Sequence, residues 1–97
     1  MGTYVVISDW TEQGVAKFGD TVERYEAGHG RLEALGVTVK EIYWTLGQHD
    51  MVSIVDAPDD ETLAAALLNL ASQGNFRTTT LRAFSADEMR ALIAKAG

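Results

Sequence analysis

The chain predicts an α+β fold of the ferredoxin-like type, βαββαβ with an extra C-terminal helix. Three observations carry that expectation. Segments rich in β-branched and aromatic residues occur at 3–9, 37–46, 49–57 and 75–84, the composition that favours strands. Segments with apolar residues at helical spacing and recognisable caps fall between and after them. Their order is that of the split βαβ unit, whose usual sheet is antiparallel in spatial order 4-1-3-2 with both main helices on one face.

Each element has its own signal. "TYVVISD" (3–9) reads as the first strand, and "WTEQGVAKFG" (10–19) as a loop or a single helical turn, since it holds two glycines. Asp20 followed by Glu23 resembles a capping box; Val22, Tyr25, His29 and Leu32 recur at helical spacing, and Gly36 is the stop. Gly28 and Gly30 each weaken that helix by roughly 1 kcal/mol relative to Ala. "VTVKEIYWTL" (37–46) and "HDMVSIVDA" (49–57) flank Gly47-Gln48, the length and composition of a two-residue hairpin turn. That register pairs Leu46 with His49, Trp44 with Met51 and Ile42 with Ser53. Asp59 is the N-cap of the next helix, with Leu63, Leu67 and Leu70 on one stripe and Gly74 as terminator. "NFRTTTLRAF" (75–84) is the fourth strand. The last helix (85–96) opens on a capping box, Ser85 to Glu88, and is expected to bury Met89, Leu92, Ile93 and Ala96.

Length and charge bound the function. At 97 residues the chain is one domain, 1–97, and so small a domain buries only about 60–70% of its unfolded surface. It has no cysteine, which excludes disulfides and thiolate metal sites. Eight basic against fourteen acidic residues leave a net charge of −6, a field that repels phosphate backbones, so no nucleic acid is expected as a partner. The first ten residues lack a basic segment followed by an apolar one, and "LAAALL" is the longest apolar run. A soluble, cytoplasmic protein with no membrane partner is therefore expected.

The open face of such a sheet must be polar or covered. If Val5, Ile7, Val52 and Ile54 face the helices, then Tyr4, Val6, Trp10, Ile42, Trp44, Met51 and Val55 share the open face. An apolar patch of that size is rarely left wet. The simplest cover is a second copy, sheet against sheet about a two-fold axis, giving a homodimer in the manner of a dimeric α/β barrel. The alternative cover is the C-terminal helix folded over the same face.

"YWTLGQHDMVSIVDAPDDE" (43–61) and "GNFRTTTLRAF" (74–84), together with "SDWTEQG" (8–14), resemble the GYD domain family. That family comprises small bacterial proteins related to the dimeric α/β-barrel group. Its name comes from a Gly-x-Tyr-Asp turn, here Gly47-Gln48-His49-Asp50, with His49 where the family usually has tyrosine. The resemblance implies the fold and the dimer and no mechanism. Its wider relatives include cofactor-free monooxygenases, muconolactone-type isomerases and amino-acid-sensing domains of leucine-responsive-type regulators, and one fold hosts many functions.

The candidate chemistry is sparse. His49 and Asp50 are neighbours in a strand, so their side chains point to opposite faces and do not form a dyad. Asp50 is expected to accept backbone N–H groups in the hairpin. His49 is the one candidate catalytic residue, as acid, base or ligand contact near neutral pH, against the plainer reading of an exposed turn residue. His29 reads as a half-buried member of its helix stripe. Two histidines in separate elements offer no metal-ligand spacing, and no cofactor-binding motif is present, so neither metal nor cofactor is expected. "DAPDDE" reads as a solvated helix start, lacking the calcium-loop pattern.

Thr78, Thr80 and Arg82 share one face of the last strand. If that face lines the barrel, Arg82 needs a partner there, such as Glu41 or a bound carboxylate. With Tyr4, Ser8, Trp10, Trp44, His49 and Thr80 it would form a partly aromatic ligand site; the alternative is a polar, hydrated sheet–sheet interface. Two functions follow from these residues. One is a non-catalytic homo-oligomeric module that binds a small organic ligand. The other is a cofactor-free monooxygenase or isomerase acting on a small aromatic or unsaturated acid.

Overall fold

The computed structural model describes residues 1–97. Four strands, β1 (Gly2–Trp10), β2 (Thr38–Trp44), β3 (Met51–Ala57) and β4 (Phe76–Ala83), form one sheet in the order β2-β3-β1-β4. All three pairings are antiparallel, and the order is 4-1-3-2 read from the other edge. The helices are α1 (Glu12–Ala16), α2 (Thr21–Ala34), α3 (Asp60–Ala71) and α4 (Ala86–Ala96), with a 3-10 turn over Phe18–Asp20. The fold is thus the expected α+β, ferredoxin-like arrangement with an additional C-terminal helix. No helix is long and apolar enough to cross a membrane.

Local chemistry accounts for most boundaries. Asp59 accepts the Thr62 amide at 2.7 Å at the start of α3, and Ser85 and Glu88 exchange both bonds of a capping box at the start of α4. Gly36 (φ +91°) and Gly74 (φ +81°) end their helices in the left-handed region that glycine enters without steric cost. Asp20 caps α2 by position only. It sits inside the 3-10 turn, and its side chain accepts no amide.

The hairpin register is as expected at Trp44↔Met51 and Ile42↔Ser53, but a bulge between Val39 and Glu41 shifts it further on. The connection is longer than a two-residue turn. Both strands stop short, Thr45 donates its amide to the Asp50 carbonyl at 2.9 Å, and the Thr45 hydroxyl bonds the His49 carbonyl at 2.6 Å. Leu46 is therefore left in solvent instead of pairing with His49.

The two sheet faces are the reverse of the expectation. Tyr4, Val6, Val55 and Ala57 form the core with Val37, Leu63 and Ala66, beneath the helices. Val5, Ile7, Val52 and Ile54 lie in register on the other face. Charge decides between the two alternations. Asp9 shares a face with Val5 and Ile7, Asp56 with Val52 and Ile54, and Glu41 pairs with Ile54. Placing that set under the helices would bury three carboxylates, at a cost far above that of an exposed isoleucine. Size acts the same way: Ala57 and Ala66 are both fully buried where α3 meets the sheet, and their small side chains allow the close approach.

The open face nevertheless has an apolar centre, made of Val5, Ile7, Val52, Ile54, Leu81 and Tyr43. The C-terminal helix does not cover it. Met89, Leu92 and Ile93 remain exposed along α4, contrary to the burial expected for them. Only 11 of 97 residues are buried, so the packed core under α2 and α3 is small. The radius of gyration, 14.6 Å, exceeds the roughly 12–13 Å of a compact chain this long.

Candidate functional site

Between the sheet and helices α2 and α3 lies a cavity of about 210 Å³. Its floor comes from the inward alternation of the strands, Val6, Ser8 and Trp10 on β1 with Met51, Ser53 and Val55 on β3. Its roof comes from Arg24, Tyr25, Gly28, Arg31 and Leu32 on α2 and Leu63, Leu67 and Leu70 on α3. The apolar residues dominate, and polar groups gather toward one end. There Ser8 pairs with Thr78 and Trp10 with Phe76 across β1 and β4, and all four line the cavity with Asn75. The Trp10 indole Nε1–H is buried without a hydrogen-bond partner.

Two contacts tie this end together. Asp50 accepts the Trp10 amide at 2.8 Å and donates its own amide to the Ser8 carbonyl at 3.1 Å. The acceptor role expected of Asp50 is thus directed at β1 instead of the hairpin itself, and it pins the Gly47–Asp50 turn beside Trp10. Arg24 donates from α2 to the carbonyls of Lys17 (3.1 Å) and Gly14 (3.4 Å). Neither Arg24 nor Arg31 takes part in any of the chain's ion pairs.

His49 does not meet Asp50. Its Nδ1 lies 3.0 Å from Asp9 Oδ1 and 3.2 Å from Oδ2, and both side chains are substantially exposed. Asp9 belongs to the open-face alternation of β1, so this pair stands outside the cavity. His29 is half-buried, edge-on to Tyr25 and 3.6 Å from Glu33. No three His, Cys, Asp or Glu side chains are gathered as a metal set.

The residues expected to form one site fall into two groups. Ser8 and Trp10 line the cavity. Trp44 is adjacent, edge-on to Tyr25 with its Nε1 donating to Thr21 Oγ1 at 2.9 Å. Tyr4 and Arg82 lie toward the opposite end of β1 and Thr80 is beside Val6 at its middle, because antiparallel pairing sets the start of β3 beside the end of β1. His49 therefore does not share an end with Tyr4 and Arg82, as the strand order alone suggested. Tyr4 is buried, its hydroxyl donating to Asp60. That bond, and then burial, raise its pKa. Thr80 is exposed on β4.

Arg82 faces the helix side and is not buried. It bonds the carbonyls of Thr3 (3.1 Å) and Ala83, sits 3.6 Å from Glu88, and stacks over Phe84 at 4.5 Å. Glu41, its expected partner, instead accepts the Tyr43 hydroxyl at 2.8 Å. The sequence reading missed Asp9, Arg24 and Arg31. The arginines were legible at seven-residue spacing beside Tyr25 and Leu32, whereas Asp9 meets His49 only through the fold.

These features define a small α+β domain with a cavity under its helices and an unpaired apolar sheet face. The chain belongs to the GYD domain family, whose model matches residues 4–93. It is 37% identical over 94 residues to the glutamine synthetase and cystathionine beta-lyase binding protein of Thermus thermophilus, covering 96% of this chain and 99% of that one. It is also similar to the crystal structure of TTHA0845 from Thermus thermophilus, with a TM-score of 0.55 and 28% identity over 89% of this chain and 96% of that one.

Proposed function

We propose that this protein is a homo-oligomeric binding module of the cytoplasm. Two copies close sheet to sheet, as in a dimeric α/β barrel, each protomer lodges a small organic ligand between its sheet and helices, and the assembly acts by docking onto metabolic enzymes. The observation that carries the reading is the apolar centre of the open face, rimmed by Thr3, Asp9, Glu41 and Asp56. An apolar centre inside a polar rim is the anatomy of a protein interface, and the exposed Met89, Leu92 and Ile93 of α4 are a second apolar surface. The name of the Thermus relative supports an enzyme as the further partner. Binding is favoured over catalysis because neither His–carboxylate pair, His49 with Asp9 or His29 with Glu33, is among the residues that line the cavity.

Analytical ultracentrifugation tests the assembly. At micromolar concentration the protein should sediment at twice its 10.5 kDa chain mass, and Ile54→Lys should return it to the monomer without unfolding it. A wild-type monomer would sink the proposal. Docking is tested by biolayer interferometry against purified glutamine synthetase and cystathionine beta-lyase, where failure to bind either removes the enzyme partner.

A further inference from the structure

The charge of the cavity is opposite to that of the molecule. The chain carries fourteen acidic residues against eight basic ones, yet the lining includes two arginines and no aspartate or glutamate. Neither guanidinium forms an ion pair within the chain. Arg24 is held toward the polar end of the cavity, since the Gly14 carbonyl it bonds belongs to the segment that leaves β1 after Trp10. Gly14 itself packs against the backbone of Asn75, another lining residue. At the same end the Trp10 indole N–H is buried and unpartnered, and a buried donor left without an acceptor is destabilising until one is supplied. The nearest carboxylate at that end, Asp50, is outside the lining and is occupied by the Trp10 backbone amide at 2.8 Å. Lining donors with no lining carboxylate select an anion, and a guanidinium is matched best by a planar two-oxygen acceptor. Away from that end the walls are Val6, Val37, Val39, Val55 and Leu63. The volume, about 210 Å³, exceeds the roughly 150 Å³ of an apolar cavity that takes up benzene.

We propose that the cavity is a site for a small monocarboxylate with an apolar body, of the size of one ring or a short branched chain. Its carboxylate meets the Arg24 guanidinium and the Trp10 indole N–H, and its body lies on the aliphatic floor, while Arg31 adds positive potential two turns along α2. The inference rests on the ligand-binding half of the function proposed above and names its chemistry.

The test uses phenylacetate and 4-methylpentanoate, each beside its neutral amide, followed by the two tryptophan indole N–H resonances in ¹H–¹⁵N NMR of the intact protein. Trp44→Phe assigns the pair. Both acids should move the Trp10 resonance and bind at least about tenfold tighter than their amides, the ratio expected of one charge-assisted contact. Arg24→Gln should remove that preference and Arg24→Lys should retain part of it, which separates loss of charge from loss of fold. Amides binding as well as acids would overturn the carboxylate assignment while leaving a ligand cavity. No shift of the Trp10 resonance by any of the four at about 10 mM, weaker than any useful affinity, would overturn both. A perturbation confined to Trp44 would place binding outside the cavity and overturn the assignment as well.

Discussion

At the start of α3, hydrogen bonds from the Thr62 side chain and backbone amide hold the Asp59 carboxyl below the ordinary aspartate value. Because the folded pKa is the lower one, Asp59 contributes stability that is complete above the unfolded value and lost as pH falls through the folded one. Asp59→Ala should therefore lower Tm by several degrees at pH 7, with the gap from wild type closing in strong acid. Asp59→Asn, which keeps the acceptor, should recover most of it. Tyr4 has the opposite sign. Its raised pKa gives stability that is complete below the ordinary value of 10.0 and lost as pH rises above it. Tyr4→Phe should remove that alkaline loss in a thermal melt followed against pH. The Asp59 cap and the Ser85–Glu88 box were legible in the sequence because each closes within three residues. The bonds from Asp50 to Trp10 and from His49 to Asp9 span forty positions. No local pattern encodes them, so the role of the Gly47–Asp50 turn emerged only with the fold.

Elements are joined at one tight point. The Thr11 amide reaches the Asn75 carbonyl at 3.2 Å, the Thr11 hydroxyl reaches the Gly74 carbonyl at 2.6 Å, and Gln13 bonds both Gln73 and Asn75. Gly14 lies inside this clasp, where an added Cβ would stand 1.8 Å from the Asn75 carbonyl oxygen. Backbone cannot yield as a side chain can. Gly14→Ala should destabilise by about 1–3 kcal/mol or more, seen as an early urea transition, and should loosen the polar end of the cavity. Gly19→Ala, with open space around it, should leave the transition in place. Strand and helix order was readable because composition and spacing are properties of single segments. Which face of the sheet turns inward was not readable from apolar alternation, since β1 carries Tyr4 and Val6 on one side and Val5 and Ile7 on the other. The charges at Asp9, Asp56 and Glu41 held the answer, but they count as one face only when three strands are placed in register.

On the scale of the molecule, a small core and two unpartnered apolar surfaces belong to one thermodynamic problem. The protomer buries 11 of its 97 residues, and its open face and α4 keep aliphatic area in water that burial would stabilise at about 25 cal/mol per Å². In the dimer proposed above a second copy would cover the open face, and the reversal of the sheet faces does not weaken that argument. It changes the residues that carry it, from Trp44 and Met51 to Val52, Ile54 and Leu81. Stability that comes from association depends on concentration, because unfolding then releases two chains. A hundredfold rise in protein concentration should stabilise the dimer by about 2.7 kcal/mol and raise Tm by about 5–10 °C for an assembly of this size. Ile54→Lys and Ile93→Glu should each lower Tm at high concentration and flatten its concentration dependence, the first through the sheet and the second through the helix. Differential scanning calorimetry over that range distinguishes the two contributions. A wild-type Tm that stays constant would mean that the protomer is stable alone and that both surfaces await a partner other than a second copy.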